Sequence, residues 1–220
     1  MIFACMYLAR PDPAFLRLDP RYEAGFLDAG ELRQCAETGD YNLSEAFLTR
    51  ALAARDECFG IRVDGVLAAY GWYSSGANHF SDELTLHHDA RWVYAYRGFT
   101  HPAYRGQRLH ATRMTMALVA YRARGFMGLV TCVERSNRAS LRSCARMGYR
   151  TFGRIYAVQL GRLLGLRRPR GRLLGLPLVH CTPGCKQFGL RLERTRGHHR
   201  SPRVDWRSRT SREQARTPGC

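Results

Sequence analysis

The sequence predicts an α/β fold of the α+β kind, a central mixed β-sheet flanked by helices over residues 1–160, followed by a disordered basic tail over 161–220. Three observations predict it. Asp64-Gly65 separates two apolar, β-prone runs, 58–63 and 66–74, the strongest short hairpin signal because both turn positions need positive φ. Between Trp92 and Glu134 a strand pattern, a helix pattern and another strand pattern follow in order, which implies a parallel or mixed sheet. The charge is divided: residues 1–160 hold 20 basic against 15 acidic residues, or +5, while 161–220 hold 15 against Glu193, Asp205 and Glu213, or +12 of the total +17.

Each element has its own signal. Ile2 to Leu8 supplies a first strand. Residues 23–37 gather Phe26, Leu27, Ala29, Leu32 and Ala36 near one helical face, and Asn42 with Glu45 three residues on predicts the capped start of a second helix. The hairpin follows, then a polar stretch over 75–91, then an aromatic and β-branched strand over 92–100 that Pro102 ends. A helix over 109–124 closes at Gly125, a strand over 126–134 follows, and a helix over 137–147 closes at Gly148. Residues 149–160 alternate as a last strand. Beyond Pro177 no apolar period of 2 or 3.6 survives, so 161–220, with its repeated GRLLGL at 161–166 and 171–176, reads as a non-globular extension.

Composition bounds the function. The longest apolar runs, such as 66–73, fall far short of the roughly 20 residues of a membrane-spanning helix. Residues 1–9 lack the basic start of a signal peptide. Eight scattered cysteines read as free thiols, which points to the cytoplasm. His180, Cys181, Cys185, His198 and His199 lack the paired short-range spacing of zinc ligands, so no metal is expected. The arginine-rich tail is either a solvated end or a phosphate-contacting arm, and nucleic acid is a partner only through it.

The chemistry concentrates at two segments. Thr100-His101-Pro102-Ala103-Tyr104-Arg105-Gly106-Gln107-Arg108-Leu109-His110-Ala111 is a short loop, with a glycine beside an arginine, running into a helix whose first N–H groups are unpaired and whose dipole favours an anion. The stretch from Arg105 to His110, preceded by Pro-x-Tyr, resembles the pyrophosphate loop of the GNAT superfamily of acetyl-CoA-dependent N-acetyltransferases. Arg108 and His110 stand where that superfamily most often has glycines; they still donate backbone N–H groups if their φ and ψ are helical. The second segment, Asn137, Ser140, Gly148 and Tyr149, is similar to the superfamily's Asn-x-x-Ser-x(7)-Gly-aromatic element, 32 residues after Arg105.

The resemblance implies a GNAT-like acyl-CoA N-acyltransferase fold over residues 1–160. It also implies transfer of the acetyl group of acetyl-CoA, as co-substrate, to a primary amine of an unidentified acceptor by direct attack. Backbone N–H groups near Gly98, Phe99 and Thr100 then hold the pantetheine and polarise the thioester carbonyl, with Asn137 and Ser140 on the pantetheine arm. The position of the tyrosine acid of many relatives holds Cys144, read either as a donor to the leaving thiolate or as a plain buried helix residue. A base used by some relatives falls at Cys132, and Glu134 lies on the same strand face two residues on, as a base or as a solvated strand end. His101, His79, Asp82, Glu83, His87 and His88 are further polar candidates for a base. Arg138, Arg142 and Arg146 form one helix face, toward a cofactor phosphate or toward solvent. The alternative function is a catalytically lapsed GNAT-like CoA-binding protein whose basic tail binds nucleic acid or anionic surfaces.

Overall fold

A single carboxylate decides where the first helix begins. Asp28 accepts from the Glu31 N–H at 2.9 Å and Glu31 reaches back to the Asp28 N–H at 2.9 Å, a capping box that satisfies two helix-start donors. The residues before it are therefore extended, and the single helix expected over 23–37 is instead β2 (Tyr22–Leu27) followed by α1 (Ala29–Glu37). Ser44, not Asn42, caps α2 (Glu45–Ala53) by accepting from the Phe47 N–H; Asn42 sits in the left-handed region at φ 52°.

The computed structural model describes residues 1–81, 84–159 and 177–195. The remaining elements are β1 (Ile2–Leu8), β3 (Glu57–Val63), β4 (Val66–Ser74), β5 (Asn78–Ser81), β6 (Leu84–His87), β7 (Trp92–Thr100), α3 (Leu109–Ala123), β8 (Gly128–Glu134), α4 (Arg138–Arg146), β9 (Arg150–Gln159), β10 (Pro177–Cys181), α5 (Pro183–Gln187) and β11 (Arg191–Arg194). Eight strands form one mixed sheet in the order β10-β9-β1-β8-β7-β4-β3-β2, and β11-β6-β5 form a small second sheet. Asp64 and Gly65 turn the β3–β4 hairpin with φ of 50° and 80°, as the sequence requires.

The sheet is covered on both faces. Met114, Leu118 and Tyr121 of α3 and Cys144 of α4 pack on one face with Val93, Ala95 and Leu129. On the other face Leu32, Phe47 and Leu48 of α1 and α2 pack on Tyr70 and Trp72, while Leu86 and Phe188 pack on Cys5, Trp92, Tyr94 and Val130. The polar stretch 75–91 thus contributes two short strands, whose Leu84 and Leu86 are buried at alternate positions.

The expectation that 161–220 lies outside the fold is corrected for 177–194. β10 extends the large sheet through Val179↔Ala157 and Cys181↔Ile155, and β11 pairs with β6. Phe188 stacks on Phe152 with ring centroids 4.0 Å apart, and Cys185, Phe188 and Leu190 are buried. These elements are only four or five residues long and change at Pro183 and Gly189, so no period had room to repeat. The GRLLGL repeats, Asp82, Glu83, His198 and His199 lie outside the described residues.

Candidate active site

The site begins where two parallel strands part. β7 pairs with β8 only through Trp92↔Gly128, Val93↔Leu129 and Tyr94↔Val130; the Thr131 hydroxyl then donates to the Ala95 carbonyl at 2.9 Å. From Tyr96 onward β7 has β4 as its strand partner, and its β8-facing edge opens into a fork. Opposite Gly71 of β4 the register shifts so that Arg97 and Gly98 fall between the Tyr70↔Phe99 and Trp72↔Tyr96 pairs, with Arg97 at φ 44°. Such a bulge re-aims the strand's groups. Gly98 is exposed there, and Phe99 and Thr100 are half-buried.

β7 then runs into the loop. His101 accepts from the Ala103 N–H at 3.3 Å, a 3-10 turn spans Pro102–Tyr104, and Arg105, Gly106, Gln107 and Arg108 are all exposed. Gly106 lies at φ 84° and Arg108 at φ 60°, both left-handed. Arg108 is therefore not helical, as expected of it, but holds the conformation that favours glycine, at a cost of roughly 1–2 kcal/mol. His110 is within α3. The Ala111 N–H already donates to the Arg108 carbonyl at 2.9 Å, which leaves the N–H groups of Leu109 and His110 as the helix-start donors without an intrahelical acceptor. The Leu109 side chain is buried, and Gln107 accepts from the Tyr22 hydroxyl at 2.8 Å.

At the start of α4 the Asn137 side-chain oxygen accepts from the Ser140 N–H at 3.1 Å, so it caps the helix while its amide N–H groups point elsewhere. Ser140 is half-buried, and Arg138, Arg142 and Arg146 are all exposed. Cys144 is 2% exposed among core residues, and burial pushes its thiol up to about 11. Glu134, half-buried at the end of β8, alternates with Val133 onto the face of Val130 and Cys132, opposite the face that Cys144 packs on. The two predicted proton carriers thus stand on opposite sides of the sheet. Of the other candidates, His79 is exposed on β5, His87 lies 3.2 Å from Glu193, and His88 meets the Asp89 carbonyl at 3.1 Å. Among the described residues no group of three or more His, Cys, Asp or Glu is placed to hold a metal ion.

Two features were not anticipated. Arg113 of α3 is 2% exposed, donates to the Tyr73 hydroxyl at 2.6 Å and lies 3.3 Å from His110 Nδ1, with no carboxylate in its ion pairs among the described residues. Its head occupies the place a Cβ at Gly71 would take, and a Cβ at Gly98 would stand 3.0 Å from Nη2. The guanidinium therefore lies directly beneath the bulge. Burial, with the Arg113 charge adding, pushes His110 down to about 3, so its ring is neutral and accepts at Nδ1. The signal in the sequence was a pair of glycines inside strands, which marks a close approach. The second feature is Asp56, 6% exposed, which accepts from the Tyr96 hydroxyl at 2.5 Å and from Asn78 at 3.3 Å. Burial raises its pKa above the usual carboxylate range. Nothing in sequence brings these three residues together.

The model of the Acetyltransferase (GNAT) family matches residues 25–149, and the chain belongs to that family. Among solved structures it is similar to a putative GNAT acetyltransferase from Novosphingobium aromaticivorans, at 21% identity and TM-score 0.46, covering 68% of this chain and 59% of that one. It is also similar to a GCN5-related N-acetyltransferase from Kribbella flavida, at 18% identity and TM-score 0.44, covering 69% and 55%. A third is AAC(6')-Iy in complex with the bisubstrate analog CoA-S-monomethyl-acetylneamine, at 12% and 0.47, covering 59% and 90%. The chain spans less than two thirds of the length of the first two. No curated protein matches it. No helix among the described residues is long and apolar enough to cross a membrane.

Proposed function

We propose that the chain transfers the acetyl group of acetyl-CoA to a primary amine by direct attack in a ternary complex. One observation carries this reading: β7 parts from β8 after Tyr94 and continues through a bulge into an anion-ready helix start. The residues suit the co-substrate. Exposed Arg105 and Arg108 and the N–H groups of Leu109 and His110 fit a diphosphate. The free amide N–H groups of Asn137 fit a pantetheine carbonyl.

In this reading the stretch Gly98–Thr100 offers the thioester carbonyl oxygen the backbone N–H groups that face its open edge; that of Phe99, opposite Tyr70 and in phase with the His101 N–H that donates to the Ala68 carbonyl, faces β4. Fixed donors of this kind usually contribute most to such a barrier. Arg113 beneath Gly98 adds a positive charge in a poorly solvated layer, where it acts more strongly than in water. Glu134 takes the proton of the attacking amine. Cys144, kept protonated by burial, returns one to the departing thiolate from the other face. The +12 charge of residues 161–220 favours the second reading, a CoA-binding protein without turnover that contacts anionic surfaces. A thermal-shift titration followed by a thiol-release assay over a panel of amines separates the two. Acetyl-CoA at 100 times its dissociation constant stabilises by about 2.7 kcal/mol; no shift at millimolar acetyl-CoA overturns both, and a shift with no thiol release leaves only the second.

A further inference from the structure

We propose that Cys5 and Cys132 are an oxidisable dithiol, a modification site whose oxidant is a hydroperoxide. The two residues face each other in register on antiparallel β1 and β8, and their sulfurs are 3.4 Å apart. Directly opposed residues hold their Cα atoms about 4.5–5.5 Å apart, inside the roughly 4.4–6.8 Å that a disulfide spans. The sulfurs need to close by about 1.4 Å to reach a bond of about 2.05 Å. The register of β1 against β9 shifts between Cys5 and Met6, so the backbone beside Cys5 is already irregular and has slack for that movement.

Exposure gives the two thiols different parts. Cys132 is half-buried on the portion of β8 beyond its last pair with β7, where the fork opens, so an oxidant meets it first. Cys5 is fully buried behind it. The Cys132 thiol reduces the peroxide O–O bond, becoming a sulfenic acid and releasing an alcohol, or water from hydrogen peroxide. The Cys5 sulfur then attacks the sulfenic sulfur: the S–S bond forms, the S–O bond breaks, and hydroxide leaves with the Cys5 proton as water. Two thiols lose two electrons and one peroxide gains them. Cys185 of α5 is buried in the same cluster as Cys5, with the half-buried Cys181 packed against it. The direct register of Cys5 with Cys132 selects that pair.

The test uses the full chain treated with graded hydrogen peroxide, alkylated, digested with trypsin and mapped by mass spectrometry. The expected product is one species joining peptides 1–17 (trypsin does not cut between Arg10 and Pro11) and 125–135, lighter by two hydrogens than the reduced pair and restored by dithiothreitol. In Cys5→Ser the same dose leaves a sulfenic acid at Cys132 that dimedone traps. Three results overturn the proposal: both thiols stay alkylatable at doses that oxidise the half-buried Cys35, Cys132 goes directly to sulfinic acid in the wild-type chain, or Cys5 joins Cys185 instead. None of these readouts needs acetyl transfer, so the outcome is independent of the proposed activity.

Discussion

Replacing His110 by Asn removes one buried titration and leaves an oxygen where Nδ1 accepts from Arg113. In the folded chain His110 titrates at about 3, against an ordinary 6.5, because burial first and the Arg113 charge second disfavour the imidazolium. The unfolded chain takes up that proton near 6.5, so stability from this residue is complete above 6.5 and is lost as pH falls toward about 3. At about 1.4 kcal/mol per pH unit the full loss is roughly 5 kcal/mol, and between pH 6.5 and 4.5 it is about 2–3 kcal/mol. Urea unfolding followed by tryptophan fluorescence at pH 7.5, 6.5, 5.5 and 4.5 reads it directly. The expected result is a variant slightly less stable than wild type at pH 7.5 that overtakes it on acidification, the difference moving by about 2–3 kcal/mol. Curves that stay parallel across this range would refute the argument that the ring is held neutral beneath the bulge.

Gly106→Pro forces φ near −65° on a residue that needs 84°, so acetyl-CoA affinity in calorimetry is expected to fall sharply while circular dichroism stays native; unchanged affinity puts the phosphates elsewhere. Asn137→Ala removes the α4 cap and is expected to cost about 1 kcal/mol of stability, with a milder loss of CoA affinity than Gly106→Pro. Gly71→Ala drives a methyl into the Arg113 guanidinium and is expected to cost about 1–3 kcal/mol, most of it absent in an Arg113→Met background; additive melting shifts would mean the two do not meet. A chain ending at Leu160 loses the buried Cys185, Phe188 and Leu190, about 3–6 kcal/mol for the two large side chains against a typical total of about 5–15, and is expected to unfold at a much lower urea concentration. An unchanged midpoint would show that Phe188 adds nothing to the core.

Local chemistry determined the elements whose signals are short-range. The Asp64-Gly65 turn, the stop at Pro102, the glycines after α3 and α4, and the loop entering α3 are set by the φ values and unpaired N–H groups of a few adjacent residues, and each reads directly from the chain. The β2–α1 boundary was also encoded, in the Asp28 and Glu31 capping box, but the helical spacing of Ala29, Leu32 and Ala36 drew the apolar Phe26 and Leu27 before them into the same helix. Tertiary structure alone decided the rest. β10, α5 and β11 are too short for any periodicity and exist because Phe188 and Leu190 find Phe152 and Trp92 across the fold. The buried Arg113 and the neutral His110 arise where α3 crosses β4 and β7, and the Asp56–Tyr96 bond where the turn after α2 meets β7. The proton state of a side chain depends on the water removed around it and the charges brought near it, and both are set by residues far away in the chain.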